Sequence, residues 1–219
     1  MNNDDLIKKL LLRFPEEEKK IIEKLNSLDR AEFIPAMYRS HAYFDEPVPI
    51  GEFQISLKPS VMISILKLLR FESGQKVLEI GMGSGYFTAL TWSLISPGGK
   101  LITIERVRRL CAFGQHNLKK YFEKDIKDEN IRIIHEDGVK IIEQFPDNSF
   151  NRIYFNAEIR NRKKFGIDKF VRKLKMNGIL LIPENKNKIL VFTKSLRGKP
   201  FLLEEKSGFN FTELKTGKC

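Results

Sequence analysis

The sequence has few of the residues that crosslink a chain or bind metals. It contains two cysteines, Cys111 and Cys219, and three histidines scattered at His41, His116 and His135. Two cysteines in 219 residues exclude a disulfide framework and favour a reducing compartment, so we expect a cytoplasmic protein. The scattered histidines form no ligand cluster, and no metal site is predicted.

Long apolar runs are also missing. A membrane-spanning helix needs roughly 20 consecutive apolar residues, and the longest runs here are far shorter, so we expect no membrane segment. The first twenty residues carry charges on both sides of a short apolar patch and lack a small-residue cleavage site, which is not typical of a secretory signal. With 42% hydrophobic and 31% charged residues, the composition predicts a globular protein, and the length favours one domain.

The charge is strongly positive. A formal net charge of +11 permits binding to an acidic partner such as nucleic acid. The basic residues concentrate in "RNRKKFGIDKFVRKLK", residues 160–175, where Phe170, Val171 and Leu174 lie at helical spacing. We interpret this segment as an amphipathic helix with a solvated cationic face. Nucleic-acid binding is the less favoured alternative, because charge runs of this kind usually form solvated helix faces.

Strand-like and helix-like patterns alternate along most of the chain. Strands are predicted at 76–80, 100–105, 131–138, 151–158, 178–184, 188–194 and 208–214. Helices are predicted at 4–28 with a break at Pro15, and at 59–69, 86–95 and 106–122. This alternation favours an α/β fold, Rossmann-like and doubly wound, with a mostly parallel seven-stranded sheet. No helix separates the last strands, so we expect an antiparallel edge.

One turn of this predicted sheet is rich in glycine. The stretch "VLEIGMGSGY", residues 77–86, places Gly81, Gly83 and Gly85 between a strand and a helix. A turn of this kind binds a nucleotide or a nucleotide-like cofactor. The GxGxG spacing differs from the dinucleotide pattern GxGxxG, and no Walker lysine follows, which excludes a phosphate-binding P-loop.

Two acidic residues follow the next two strands. Glu105 ends the second strand about 20 residues after the glycines, where a carboxylate can accept hydrogen bonds from ribose hydroxyls. Asp137 lies in the "EDG" turn after the third strand and can accept a hydrogen bond from an adenine amino group. Because open α/β sheets bind ligands at the carboxyl ends of their strands, we expect both acids and the glycine turn to share one site.

This combination resembles the class I S-adenosylmethionine-dependent methyltransferases. The resemblance implies that S-adenosyl-L-methionine is the cofactor, with the glycine turn at its methionine part, Glu105 at its ribose and the "EDG" turn at its adenine. The cofactor-binding residues that it implies are Gly81, Gly83, Ser84, Gly85, Glu105, Asp137 and Gly138.

A narrower resemblance comes from "RAEFIPAMYRSHAYFDEPVPIGEFQISLKPSVMISILKLL". This segment is similar to the N-terminal portion of the protein-L-isoaspartate O-methyltransferases. The matching residues are Arg30, Phe33, Ile34, Pro35, Tyr43, Asp45, Pro47, Val48, Pro49, Ile50, Gly51, Gln54 and Pro59. The similarity continues through the glycine turn and the "EDG" turn to "GILLIP" and "GFNFTEL". It implies carboxyl O-methylation of L-isoaspartyl residues in damaged proteins, a protein-repair reaction. It also implies one methyltransferase domain, with N-terminal helices and a substrate loop in residues 1–58 and the cofactor-binding core in residues 59–219.

The substrate loop departs from the family's pattern. In the family a loop serine lies close to the transferred methyl group. An ungapped register puts Ile55 at the family's threonine and Leu57 at that serine, whereas a compensated gap brings Ser56 into the role. Pro59 closes the loop in both registers. We favour the ungapped register, because it needs no paired insertion and deletion, and we keep Ser56 and Leu57 as the candidate catalytic positions.

Three functions remain open from the sequence. The first is isoaspartyl carboxyl methylation, with isoaspartyl peptides or proteins as partners. The second is a methyltransferase on another substrate such as RNA, and the third is a catalytically inactive cofactor-binding homologue. The first is favoured, since transfer to a carboxylate that is ionised at pH 7 needs alignment more than a base.

Overall fold

The computed structural model describes residues 2–160, 165–184 and 187–217, and it contains one large sheet and one separate hairpin. The hairpin consists of β1 (Val48–Gly51) and β2 (Gln54–Ser56). The sheet strands are β3 (Lys76–Ile80), β4 (Lys100–Glu105), β5 (Ile131–His135), β6 (Phe150–Phe155), β7 (Leu174–Glu184), β8 (Lys188–Lys194) and β9 (Pro200–Ser207). Their order is β5-β4-β3-β6-β7-β8-β9. The first five are parallel, and β8 and β9 are antiparallel to their neighbours, as the sequence predicts.

Helices cover the sheet and precede it. They are α1 (Asn3–Arg13), α2 (Lys19–Asn26), α3 (Pro59–Leu69), α4 (Tyr86–Ile95), α5 (Arg108–Lys127), the single turn α6 (Gly138–Ile141) and α7 (Asp168–Lys173). Short 3₁₀ turns lie at Glu16–Glu18, Arg30–Phe33, Ala36–His41 and Ile142–Gln144. Pro59 occupies the first turn of α3, where its missing N–H leaves no intrahelical bond unmade. Among the described residues no helix is long and apolar enough to cross a membrane.

Apolar side chains fill both faces of the sheet. Within β3, Val77 faces the core under α1–α4, and Leu78 faces the core under α7. This alternation explains why "KVLEI" is almost continuously apolar, since a parallel strand with both faces covered needs apolar residues at every position. The N-terminal helices contribute Leu6, Leu10 and Ile22 to the first core, and α2 lies against α3 and α4.

The basic segment differs from its prediction. A helix over 160–175 was expected, but the structure has only α7, Asp168–Lys173, and residues 161–164 of the predicted helix lie outside the described part of the chain. Leu174 begins β7 by pairing with Phe150, so β7 starts four residues before the predicted strand 178–184. Strand pairing with β6 therefore ends the helix where helical periodicity alone predicts that it continues.

The seventh strand is also displaced from its prediction. The sheet ends with β9, Pro200–Ser207, not with 208–214, which makes only an isolated bridge between Glu158 and Glu213. Most side chains of β9 are exposed, and half of "PFLLEEKS" is polar or charged. An edge strand with exposed side chains lacks the apolar alternation on which a sequence-based prediction depends.

Candidate active site

An open cavity lies at the carboxyl ends of β3, β4, β5 and β6. Its empty space measures about 940 Å³, including the solvent-open mouth. It is lined by the glycine turn after β3, by the ends of β4, β5 and β6, by the hairpin β1–β2 with the residue that follows it, and by residues 212–215. Of the candidate cofactor-binding, catalytic and substrate-loop residues, those lining the cavity are Ile55, Ser56, Leu57, Gly81, Gly83, Ser84, Glu105, Asp137 and Gly138.

Gly85 and Pro59 do not line the cavity. Gly85 begins α4 with φ +86°, and a Cβ atom there would lie 3.0 Å from the Gly114 carbonyl oxygen of α5. Its glycine is therefore required for packing of the turn against α5. Pro59 is buried in the first turn of α3, behind the substrate loop. Both residues shape the site without lining it.

Two of the cavity glycines adopt backbone conformations that favour glycine. Gly81 has φ +95° and Gly83 has φ +57°. A Cβ atom on Gly83 would approach the Ile50 Cδ1 atom of the hairpin to 3.1 Å. The substrate loop thus packs directly on the glycine turn, and the lack of a side chain at Gly83 makes that contact feasible.

The Glu105 carboxylate is fixed by the backbone around it. It accepts hydrogen bonds at 2.9 Å from the Gly83 N–H and from the Val107 N–H, one on each oxygen. The side chain is 6% exposed and lines the cavity. Each carboxylate oxygen has two lone pairs, so each retains one acceptor position for a ligand hydroxyl. These two acceptor positions fit the two hydroxyl donors of a ribose vicinal diol.

Asp137 connects the far end of the cavity to the C-terminal segment. Its Oδ1 accepts a hydrogen bond from the Val139 N–H at 2.9 Å and caps α6. Its Oδ2 accepts one from the Gly217 N–H at 2.6 Å, and Arg106 Nη1 donates to the Gly217 carbonyl at 2.6 Å. Since a free lone pair remains on each oxygen, the carboxylate can also accept an amino group of a purine.

The hairpin brings both candidate loop positions to the cavity. Ser56 is 6% exposed, and its hydroxyl makes a long 3.4 Å contact with the Leu57 carbonyl. Leu57 lines the cavity beside it and packs partly against the core. Ile55 also lines the cavity and is 37% exposed. The geometry therefore places Ser56 and Leu57 at the same wall, and the choice between the two registers is a matter for experiment.

A buried arginine organises this loop, and its role could not be predicted from the motif match alone. Arg30 is fully buried and donates to four backbone carbonyls: Ala42 and Phe44 at 3.1 Å, and Glu46 and Leu57 at 3.0 Å. Burial lowers the pKa of this guanidinium below its usual value. Its planar fork of N–H donors matches converging carbonyls, which a lysine ammonium does not.

A second buried polar group, Glu79, lies directly behind the glycine turn. Its carboxylate accepts hydrogen bonds from the Thr88 and Thr103 hydroxyls at 2.6 Å and from the Asn156 amide at 2.8 Å. Asn156 also donates to the Gly81 carbonyl at 2.9 Å and lines the cavity. Burial raises the pKa of Glu79 to about 7, against the opposing effect of these donors. Sequence patterns alone did not single out Glu79, which lies in the apolar stretch "VLEIG". An acidic residue inside a buried strand is nevertheless a signal of a buried polar network.

The described cations of the basic segment are mostly paired with carboxylates. Arg172 donates twice to Glu143 at 3.0 Å, and Lys173, only 5% exposed, lies 2.7 Å from Asp147. Near the start of the segment, Arg160 Nη2 lies 3.1 Å from the Glu213 carboxylate. The other basic residues that the sequence singled out, Arg162, Lys163 and Lys164, lie outside the described residues.

Comparisons with known proteins indicate a methyltransferase family. The family model for protein-L-isoaspartate(D-aspartate) O-methyltransferase (PCMT) matches residues 1–211. A protein-L-isoaspartate O-methyltransferase of Fervidobacterium nodosum is 31% identical over 187 residues, covering 85% of this chain and 88% of that protein. A protein-L-isoaspartate O-methyltransferase of Methanopyrus kandleri is 33% identical over 164 residues, which cover 75% of this chain and 68% of that protein.

A solved structure has the same fold. A Plasmodium falciparum protein, assigned as a protein-L-isoaspartate O-methyltransferase and crystallised with S-adenosyl-L-homocysteine, superposes with a TM-score of 0.81. The two chains are 22% identical, and the match covers 99% of this chain and 100% of the other.

Proposed function

This chain belongs to the protein-L-isoaspartate(D-aspartate) O-methyltransferase family, and we propose that it transfers the methyl group of S-adenosylmethionine to the free carboxylate of L-isoaspartyl residues in damaged proteins. The observation that carries this proposal is the shared cavity. The hairpin that matches the family's substrate loop and the glycine turn that matches its cofactor site line the same space, with Ile50 packed on Gly83. A methyl donor and an acceptor carboxylate can therefore meet there.

The cofactor side uses groups that the fold has already fixed. Glu105 would accept hydrogen bonds from the ribose hydroxyls, and Asp137 with Gly138 would contact the adenine. The turn Gly81–Gly85 would lie along the methionine part, with Ser84 among its lining residues. When bound, S-adenosylmethionine would supply a methyl group on a positively charged sulfur. A nucleophilic oxygen can take this methyl group directly, and the sulfur leaves with the bonding electrons as the neutral thioether of S-adenosylhomocysteine.

The acceptor side needs alignment rather than a base. An isoaspartyl carboxylate is already ionised at neutral pH, so no proton has to be removed before it attacks. The chain's contribution is to hold that oxygen in line with the methyl group and to exclude water. The proposed aligning wall is Ser56 or Leu57, and Arg30 fixes the backbone carbonyl of Leu57 in this wall.

We do not propose an RNA acceptor. Arg172, Lys173 and Arg160 each lie in hydrogen-bond or ion-pair distance of a carboxylate, so they are not an unneutralised phosphate-binding surface. This pairing favours the solvated-face interpretation of the described part of the basic segment. We carry two sequence expectations forward as proposals: one methyltransferase domain, and a cytoplasmic location, which the low cysteine content supports.

The proposal is tested by methyl incorporation. The protein is incubated with S-adenosylmethionine carrying a radiolabelled methyl group and with two peptides that differ only in containing isoaspartate or ordinary aspartate at one position. We expect base-labile label in the isoaspartyl peptide alone, because a carboxyl methyl ester hydrolyses in mild base. Base-stable label, or label in RNA added in place of peptide, would contradict the proposal. Cofactor binding without transfer to any component of a cell lysate would indicate the inactive homologue.

A further inference from the structure

The tip of the hairpin carries a residue that is poorly suited to its backbone. Glu52 and Phe53 form the two-residue loop between β1 and β2, with φ +52° and φ +56°. Such loops favour Asn-Gly and related pairs, because both central residues need a left-handed backbone. A bulky aromatic residue in this region is a genuine conformational outlier. Glycine at position 53 would adopt the same turn without that cost.

Against the part of the chain that the structure describes, the Phe53 side chain buries no surface that would offset this cost. Its side chain is fully exposed, with a relative accessibility of 103%. An aromatic ring exposed in water at a strained position is therefore unfavourable on two counts, hydration and backbone conformation.

The loop that presents this ring is firmly attached. Arg109 pairs with the Glu52 carboxylate at 3.3 Å, and the Thr212 hydroxyl donates to the Gln54 side chain at 2.9 Å. Ile50 packs on the glycine turn from the same hairpin. The ring is thus presented from a hairpin fixed at several points, and the ordering cost of binding at this position is already small.

The exposed ring is continuous with the proposed acceptor site. The residues that follow it, Gln54, Ile55 and Ser56, all line the cavity, and Ile55 is also 37% exposed. An acceptor polypeptide that lies along this wall of the cavity would continue over the tip of the hairpin.

We propose that Phe53 is a substrate-contacting residue at the rim of the active site, which packs against an apolar side chain next to the isoaspartyl residue of an extended polypeptide. The inference rests on the proposed function and goes beyond it, since it assigns a preference for apolar sequence around the damaged residue. Aromatic anchors of this kind supply contact area at little conformational cost, and their truncation has large effects on binding.

The test uses two isoaspartyl peptides of equal length, one with leucine and one with glycine on both sides of the isoaspartyl residue. Wild type is compared with Phe53→Gly, with the conservative Phe53→Tyr, and with Leu196→Gly. Leu196 is a matched control, because it is 95% exposed in the loop between β8 and β9 and does not line the cavity. Binding of S-adenosylhomocysteine, the melting temperature and the elution volume in gel filtration are measured for each protein.

We expect Phe53→Gly to lower kcat/KM for the leucine-flanked peptide about tenfold, mainly through KM. The glycine-flanked peptide, S-adenosylhomocysteine affinity and elution volume should not change. Phe53→Tyr should keep wild-type activity on the leucine-flanked peptide, and Leu196→Gly should behave as wild type on both peptides. The melting temperature of Phe53→Gly should stay equal or rise by up to about 3 °C, because the turn loses its strain.

Equal loss on both peptides, the same loss in Leu196→Gly, or a Phe53→Gly protein with a changed oligomeric state would overturn this inference alone. A wild-type protein that binds S-adenosylhomocysteine but methylates neither peptide would overturn the proposed function, and this inference with it.

Discussion

Replacing Glu79 by glutamine tests the buried network behind the glycine turn. Burial raises the pKa of this carboxyl from 4.5 to about 7, so the folded protein binds the proton more tightly than the unfolded chain does. A carboxyl with a raised folded-state pKa contributes stability that is fully present below pH 4.5 and is lost as the pH rises through 7. Each pH unit between the two pKa values costs about 1.4 kcal/mol, and the whole shift costs about 3 kcal/mol.

Glutamine has the same shape and carries no charge at any pH, so Glu79→Gln removes this pH dependence. Its hydroxyl neighbours Thr88 and Thr103 can rotate to accept from the new amide. We therefore expect the free energy of unfolding of the variant, relative to wild type, to increase by roughly 2–3 kcal/mol between pH 5 and pH 8. Above pH 8 the difference should be constant.

The assay is urea unfolding of the ligand-free protein at intervals from pH 5 to pH 9, followed by far-UV circular dichroism. A second variant, Thr88→Val, removes one donor to the ionised carboxylate and should shift the pH dependence of the otherwise wild-type protein upward. A difference between Glu79→Gln and wild type that is flat from pH 5 to pH 8 would refute the reasoning, because it would mean that burial does not raise this pKa.

Three further predictions concern the cavity. Glu105→Ala should weaken S-adenosylmethionine binding by roughly 1.5–3 kcal/mol, measured by titration calorimetry, and unchanged affinity would count against the ribose assignment. Ser56→Ala should lower turnover on an isoaspartyl peptide tenfold or more if its hydroxyl contacts the acceptor, whereas in the ungapped register it should be nearly silent and Leu57→Ser should raise activity. Arg30→Lys should lower turnover about tenfold and leave S-adenosylhomocysteine affinity unchanged, because lysine cannot hold the loop carbonyls as arginine does. The control is Arg152→Lys, which alters a buried arginine bonded to the Leu69 and Arg70 carbonyls. This control should lower stability without a selective loss of turnover.

Most of the fold could be predicted because the strands of the central sheet are largely apolar and alternate with helical patterns along the chain. The helix Pro59–Leu69 and the strands Lys76–Ile80 and Lys188–Lys194 begin and end where their patterns predict. The wrong predictions lie where strand pairing decides the structure. Leu174 pairs with β6 and so starts β7 inside a segment with a helical pattern. β9 lies at the exposed edge of the sheet, and its mostly exposed side chains do not show the apolar alternation of a strand.

The candidate site could be predicted only in its backbone-defined parts. Glycines and acids at strand ends have recognisable spacing, so the sequence placed Gly81, Gly83 and Glu105 near one another. Arg30 matches the family's pattern and Asn156 matches none, but both act through contacts with backbone groups that are distant in the chain, and no local pattern shows those contacts. Their partners can be identified only after the chain is folded.

The contacts that close the cavity also have a consequence for the order of folding. Arg106 and Gly217 are 111 positions apart, Thr212 and Gln54 are 158 apart, and Gly217 and Asp137 are 80 apart. Contacts between residues this distant close large loops, and such closures form late because their entropic cost must be met first. We therefore expect the donor site to be completed only when the last segment docks. A partly folded chain would hold its helices and sheet without consuming the methyl donor, and recovery of nucleoside binding would report the final step of folding.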